Sequence, residues 1–162
     1  MIMRALKSSQ GFTLIELGVT VAIVGLLAGI AVPTVELVGQ RNKEQELRLS
    51  LREIRKSIDA YKQAYDEGRM IKIVGDSGYP PSLSVLVEGV ADAKSAAKAK
   101  IYFLRRIPRD PMSSDADSPP EQTWGLRSYA SEPDSPTEGR DVFDVYSKSA
   151  GVAINGVRYR EW

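Results

Sequence analysis

The sequence contains neither cysteine nor histidine among its 162 residues. Without cysteine there is no disulfide framework and no thiolate nucleophile. Without histidine the chain lacks the commonest general base of enzymes and the commonest protein ligand for zinc. Its serines have no histidine to activate them, and no glycine-rich phosphate-binding loop follows a predicted strand. We therefore expect no catalytic residue, no cofactor and no metal ion.

The chain also lacks an excess of either charge. It has 22 lysines and arginines against 21 aspartates and glutamates, a net charge of +1. Nucleic-acid-binding domains usually carry a clear basic surplus, so we expect no nucleic-acid partner. Once one membrane helix is set aside, the remaining length suffices for a single small globular domain.

Charge is absent altogether from one stretch near the amino terminus. From Leu17 to Val35 nineteen residues pass without a charged side chain. At a helical rise of about 1.5 Å per residue this run covers roughly 28 Å, which matches the hydrocarbon core of a bilayer. Arg4 and Lys7 precede the run, so the positive-inside rule predicts a cytoplasmic amino terminus and an exported domain.

Two residues do not fit a simple membrane anchor. Glu16 lies at the head of the apolar run, and a carboxylate inside the hydrocarbon core costs about 2.5–3.5 kcal/mol on insertion scales. It either reaches headgroup water or pairs with a cation. Cleavage after Gly11 would create such a cation, because the new amino group of Phe12 would lie one helical turn from Glu16. Pro33 removes a backbone donor and crowds the carbonyl of Gly29, which predicts bending there in an assembled filament.

The segment Gly11-Phe12-Thr13-Leu14-Ile15-Glu16, followed by an apolar helix with Pro33, resembles the processing motif of type IV pilins and type II secretion pseudopilins. The resemblance implies that a membrane peptidase cleaves after Gly11 and methylates the new amino-terminal Phe12. It also implies that Glu16 is the assembly residue and that Pro33 occupies the position where the family has proline. Residues 1–11 would be the leader, 12–35 the transmembrane and assembly helix, and 36–162 the periplasmic domain.

Later segments resemble the major pseudopilin of type II secretion in their order. They are Tyr79–Leu83, Ile107–Pro111, Trp124-Gly125 and Asp144–Ser147. The resemblance implies a single-pass protein of the bacterial inner membrane that polymerises with copies of itself into a periplasmic pseudopilus. Its other partners would be the peptidase-methylase, minor pseudopilins and a membrane assembly platform. Such a filament supports export of folded proteins across the outer membrane.

Small residues recur along the apolar run at helical spacing. Gly18 and Ala22, then Gly25 and Gly29, are each four residues apart. Such spacing lets helix backbones approach closely in a membrane or in a bundle. Glycine and alanine are also simply common in spans. Together with Glu16, close packing of neighbouring helices is the interpretation that we carry forward.

Two other functions remain open. The chain could be a subunit of a type IV pilus for adhesion or motility, with the same amino-terminal half. Alternatively, residues 1–7 and Leu17–Leu27 could form a secretory signal cleaved near Gly29–Ala31, which would release a periplasmic binding domain.

Beyond the span, the pattern predicts an α+β domain. Apolar residues recur at spacings of three and four along a long amphipathic helix that should end near Gly68. They are Leu47, Leu51, Ile54, Ile58, Tyr61 and Tyr65. We expect this stripe to pack on a small antiparallel sheet formed by residues 126–131, 142–147 and a hairpin about Asn155-Gly156. A short helix over Ser82–Leu86 and an exposed helix over Asp92–Lys100 are also expected. Glu44 with Arg48, and Arg55 with Asp59, should pair on the solvent side.

The carboxyl-terminal tail departs from the resemblance. Major pseudopilins usually end in an aspartate-rich loop that binds calcium, whereas Lys148–Trp162 contains Glu161 as its one carboxylate. Calcium requires six to eight oxygen ligands, so we expect no tight calcium site. A second acidic group, Asp110, Asp115 and Asp117, is expected to be a solvated loop.

Overall fold

A computed structural model describes residues 12–97 and 99–162, without the side chains of residues 30–35. Gly11 and the rest of the predicted leader therefore lie outside the described residues, as does the side chain of Pro33. The chain divides into two compact units after Gln40. Helix α1 runs from Leu14 to Asp66 and contributes residues to both.

The apolar half of α1 carries the predicted membrane span. Among the described residues, no helix has a stretch that is both long and apolar enough to cross a membrane. The predicted span from Leu17 to Val35 includes residues 30–35, whose side chains are outside the description.

The amphipathic half of α1 belongs to the second unit and supplies one face of its core. Five residues of the predicted stripe are buried, namely Leu47, Leu51, Ile54, Ile58 and Tyr61, and the sixth, Tyr65, is half-buried. The helix ends at Asp66, and Gly68 follows with a φ of 70°. The amide of Arg69 donates to the carbonyl of Ala64 and closes the last turn. The predicted stripe and the predicted end near Gly68 are therefore confirmed.

Two small antiparallel sheets and one short helix complete the second unit. Helix α2 spans Leu83–Glu88 and follows Ser82, as expected. Strand β1, Val90–Ala91, pairs with β2, Lys100–Ile101. Strand β3, Trp124–Arg127, pairs with β4, Asp144–Ser147, in a register that places Leu126 opposite Val145. Short 3-10 helices cover Pro120–Thr123 and Tyr159–Glu161.

The core forms where the helix stripe meets these elements. It includes Leu86 of α2, Leu104, Trp124 of β3, and Val142 and Val145 at β4. Trp124 is buried, and its indole N–H donates to the carbonyl of Pro108 at 2.8 Å. The predicted α+β class, a long amino-terminal helix with a small antiparallel sheet as in pilins, is confirmed.

The helix expected over Asp92–Lys100 is wrong. Residues 92–97 form turns between β1 and β2. The Asp92 carboxylate pairs with the Arg69 guanidinium at 2.6 Å, and this hydrogen bond, helped by the amide of Lys94, holds the pKa of Asp92 below its ordinary value. A short alanine-rich segment is marginal as a helix without tertiary packing, so the strand pairing and the Asp92–Arg69 contact prevail.

The carboxyl-terminal hairpin is smaller than expected. Asn155-Gly156 does form a turn, with a φ of 83° at Gly156, but the flanking residues form an isolated bridge between Val152 and Arg158. The tail instead packs through side chains against α1.

Asp110 is the clearest departure from the expected solvated loop. Its side chain is fully buried, whereas Asp115 and Asp117 are exposed. The Asp110 carboxylate accepts hydrogen bonds from the amide of Met112 at 2.8 Å and from Ser147 Oγ at 2.6 Å. Such bonds offset the cost of burying the charge. Asp110 thus fixes the turn at Ile107–Pro111 against the end of β4.

Candidate functional site

The helix start determines the surroundings of Glu16. The carbonyl of Thr13 accepts a hydrogen bond from the amide of Leu17, and Thr13 Oγ1 accepts one from the amide of Glu16 at 3.3 Å. Thr13 is therefore the helix N-cap, and Glu16 occupies the third position of the first turn. A threonine followed three residues later by glutamate is a common helix-start signal. The capping role of Thr13 is not among the features singled out above, although the spacing Thr-x-x-Glu predicts it.

Glu16 has a local role as well as a predicted assembly role. A carboxylate in the first turn interacts favourably with the positive end of the helix dipole. The side chains of Phe12, Thr13 and Glu16 are exposed. The described residues thus bring Phe12 and Glu16 to the same end of α1 and leave both accessible.

The first half of α1 exposes an apolar surface on every side. Ten large apolar side chains between Phe12 and Leu27 are each more than half exposed. They are Phe12, Leu14, Ile15, Leu17, Val19, Val21, Ile23, Val24, Leu26 and Leu27. A helix that is apolar all round is normally buried in a protein interior or in a membrane. This surface requires a cover that the described residues do not supply.

The four predicted small residues form one narrow stripe on this surface. At about 100° per residue, Gly18, Ala22, Gly25 and Gly29 lie within roughly 60° of one another, and Glu16 points to the opposite side. A Cβ placed on any of the three glycines would meet no described atom within 4 Å apart from its chain neighbours and the adjacent backbone of its own helix. No steric contact among the described residues therefore requires glycine at these positions.

The carboxyl-terminal tail is held by charged side chains of α1. Glu44 is buried, and its Oε1 accepts hydrogen bonds from the amide of Ile154 at 2.9 Å and from the Tyr159 hydroxyl at 3.0 Å. Arg55 donates to Asp144 at 2.7 Å and to the carbonyl of Trp162 at 2.7 Å. The expected pairs of Glu44 with Arg48 and of Arg55 with Asp59 are therefore wrong, because both side chains are engaged by residues distant in sequence.

Asp141 joins three loops of the same unit. Its carboxylate accepts hydrogen bonds from the hydroxyls of Ser77 and Ser128 and from the amide of Tyr129. Burial raises the pKa of Asp141, but these hydrogen bonds lower it by more, so that it lies below its ordinary value of 3.8. The Asp141 carboxylate thus connects these loops through hydrogen bonds.

Metal ligands do not converge anywhere in the described chain. Within residues 12–97 and 99–162, no group of three or more aspartates or glutamates is placed to hold a metal ion. The tail, where the resemblance implied calcium, is contacted by the side chains of Glu44 and Arg55 of α1.

Comparison with known proteins identifies the amino-terminal segment. A family model described as the prokaryotic N-terminal methylation motif matches residues 6–32. The match includes the positions of Gly11, Phe12 and Glu16 and stops one residue before Pro33.

Curated relatives extend the similarity into the second unit. The chain is 28% identical over 115 residues to the type II secretion system core protein G of Klebsiella michiganensis, covering 67% of this chain and 72% of the relative. It is 28% identical over 120 residues to the protein of that name from Escherichia coli K12, covering 70% and 73%. The type IV major pilin protein PilA of Myxococcus xanthus is 39% identical over 62 residues, 36% of this chain and 28% of the relative. No solved structure matches significantly.

Proposed function

We propose that this chain, whose resemblance to type IV pilin-like major pseudopilins is confirmed by these similarities, polymerises into the periplasmic pseudopilus of a type II secretion system. The filament would support export of folded proteins across the outer membrane. The chain is a structural subunit in this proposal, and none of its relatives' names is that of an enzyme.

The exposed apolar surface of α1 carries the proposal. Burial of a large apolar side chain contributes about 1.5–3 kcal/mol, so ten of them together favour a covered state strongly. In the inner membrane, lipid would cover this surface before assembly, with the amino terminus in the cytoplasm. In the filament, the same helix of neighbouring copies would replace the lipid.

Processing would supply the charge that Glu16 needs. A peptidase that cleaves after Gly11 exposes the amino group of Phe12, which the same enzyme then methylates. In a filament, the amine of one copy would pair with Glu16 of the next, which removes the cost of an unpaired buried carboxylate. The stripe of Gly18, Ala22, Gly25 and Gly29 would pack against another neighbour, since it lies on the opposite side of the helix. Pro33 would bend or melt the helix locally in the assembled filament.

A matched pair of substitutions tests this proposal. Glu16→Ala and Glu16→Gln should each abolish filament assembly while the monomer still inserts and is processed, because neither side chain is negative. Ile15→Ala, a neighbouring change without loss of charge, should assemble. The mass of the mature protein reports cleavage and methylation together. A mature protein that retains residues 1–11, or a Glu16→Ala chain that polymerises normally, would refute the proposal.

A type IV pilus subunit is the second candidate, and the similarity to the Myxococcus pilin favours it. The two functions differ in the phenotype of a deletion strain. Loss of protein secretion with surface pili intact supports the pseudopilus, and the reverse result supports the pilus. A chain cut near Gly29–Ala31 and released as a soluble periplasmic protein would instead indicate a secreted binding domain.

A further inference from the structure

A basic groove lies between α1 and the carboxyl-terminal tail. It has a volume of about 320 Å³ and is lined by Arg48, Leu51, Arg52, Arg55, Asn155, Val157 and Trp162. We call it the arginine groove. Since a water molecule takes up roughly 30 Å³ in the liquid, the groove has room for the tip of a loop.

Two of its three arginines are available to a partner. Arg55 is engaged by Asp144 and by the carbonyl of Trp162. Arg52 is exposed and makes no ion pair with another described residue. The guanidinium of Arg48 lies 4.4 Å from the centre of the Trp162 ring, which holds it at the groove without neutralising its charge.

The helix carries like charges at this place. Arg48, Arg52 and Lys56 follow one another at intervals of four residues, and all three are exposed. Like charges at this spacing repel each other across one helical turn. A bound anionic group would relieve that repulsion, so the stripe favours an acidic partner.

The same unit presents a loop of the opposite charge. Residues 132–138, here called the acidic loop, carry Glu132, Asp134 and Glu138, which are all exposed. None of the three forms an ion pair with another described residue. The exposed segment with Asp115 and Asp117 is less suited, because Asp115 already accepts hydrogen bonds from the amides of Asp117 and Ser118.

Internal hydrogen bonds order the acidic loop in advance. Ser131 Oγ accepts a hydrogen bond from the amide of Thr137 at 2.8 Å and donates to the carbonyl of Ser135. The amide of Ser128 donates to the carbonyl of Thr137 at 3.0 Å. A loop that is already ordered loses less conformational entropy on binding, which favours its use as a docking element.

We propose that the arginine groove of one copy binds the acidic loop of a second copy of this chain. Groove and loop are different surfaces of one molecule, so the contact is head-to-tail and can repeat along an open filament. The inference rests on the proposed function and adds the contact by which the domains outside the membrane recognise one another.

Cysteine cross-linking tests the contact directly, because the native chain has no cysteine. Val157→Cys at the groove and Ser135→Cys in the acidic loop leave every charge in place. Full-length chains with both changes, expressed with their secretion machinery and oxidised, should give covalent dimers and longer ladders. The matched control combines Val157→Cys with Ala116→Cys, which lies between Asp115 and Asp117, and it should remain monomeric. Cross-linking by the control alone would overturn the proposal.

Charge reversal provides the second measurement. Arg52→Glu and Asp134→Arg should each lower the cross-linking yield of the cysteine pair about tenfold, and the double reversal should restore it. Lys43→Glu, on the same helix and outside the groove, should leave the yield unchanged. Both reversed residues are exposed, so melting temperatures should not change.

The two proposals can fail separately. If the wild-type chain is processed and forms filaments but the cysteine pair gives no dimer, the groove contact is wrong and the proposed function stands. If the wild-type chain never polymerises, both are wrong. A cross-linked product that contains a different protein would also overturn the proposal of a second copy.

Discussion

Glu44 should be one of the most sensitive residues of the second unit, although its position on a helix predicted an exposed surface charge. Its carboxylate accepts hydrogen bonds from Ile154 and Tyr159, which are 110 and 115 residues away in sequence. A hydrogen bond to a charged group contributes about 1.5–3 kcal/mol. Because the two bonds share one carboxylate, we expect Glu44→Ala to lower the free energy of unfolding by about 3 kcal/mol.

The expected loss is large enough to measure by thermal unfolding. For a unit of this size, about 1 kcal/mol corresponds to a shift of roughly 4 °C, so the melting temperature of Glu44→Ala should fall by about 12 °C. Tryptophan fluorescence of the full-length chain in detergent reports the transition, since Trp124 lies in the core. Glu46→Ala, an exposed glutamate two residues along the helix, is the matched control and should change the melting temperature little.

A double-mutant cycle separates the Tyr159 contact from the rest. Tyr159→Phe removes one hydroxyl and should cost about 1.5 kcal/mol alone. Combined with Glu44→Ala it should cost less than the sum, with a coupling energy of about 1–2 kcal/mol. Additive effects, or a Glu44→Ala chain as stable as Glu46→Ala, would refute the stabilising role of the hydrogen bonds between Glu44 and the tail.

Two further predictions concern the loops around Asp141 and Gly78. The pKa of Asp141 is lowered in the folded state, so its contribution to stability is full above its ordinary value of 3.8 and is lost as the pH falls through the lower folded value. Asp141→Asn should therefore be less stable than wild type at pH 7, with a difference that shrinks in acid unfolding titrations below about pH 4; a constant difference would contradict this. Gly78 has a φ of 79°, and an added Cβ would lie 2.6 Å from the Tyr65 ring. Gly75→Ala, with open space around it, should lower the free energy of unfolding in urea by roughly 1–2 kcal/mol, which is the backbone strain alone. Gly78→Ala should lower it by more, because the added Cβ also meets the Tyr65 ring. Equal losses of stability would show that the Tyr65 contact is unimportant.

The long helix could be predicted because its signal is local. Leu47, Leu51, Ile54 and Ile58 repeat at helical spacing, and each such residue is buried whatever the exact partner. The amino-terminal segment could likewise be predicted from the sequence, because a helix cap, a carboxylate in the first turn and an apolar run each depend on neighbouring residues alone. The spacing of Thr13 and Glu16 also predicts the cap at Thr13, because it is that of a capping box.

The partners of charged residues could not be predicted in this way. Glu44 and Arg48 are oppositely charged residues four apart on a helix. Many exposed pairs have the same spacing, and each contributes only a few tenths of a kcal/mol to stability. Buried contacts with the tail and with β4 are stronger, and they draw Glu44 and Arg55 away from their helical neighbours. Asp110 was misjudged for the same reason, because the hydroxyl that stabilises it lies 37 residues further on.

By itself, the sequence determined the long helix, the stripe that the helix buries and the motif at its start. Each depends on residues within a few turns of one another, where spacing and sterics decide the outcome. Only the tertiary structure decided which carboxylates are buried, how the tail is held and where an arginine groove remains open. Those features depend on which distant segments meet in space. The free-energy cost of burying a charged group is offset only by hydrogen bonds from the residues that the fold brings next to it.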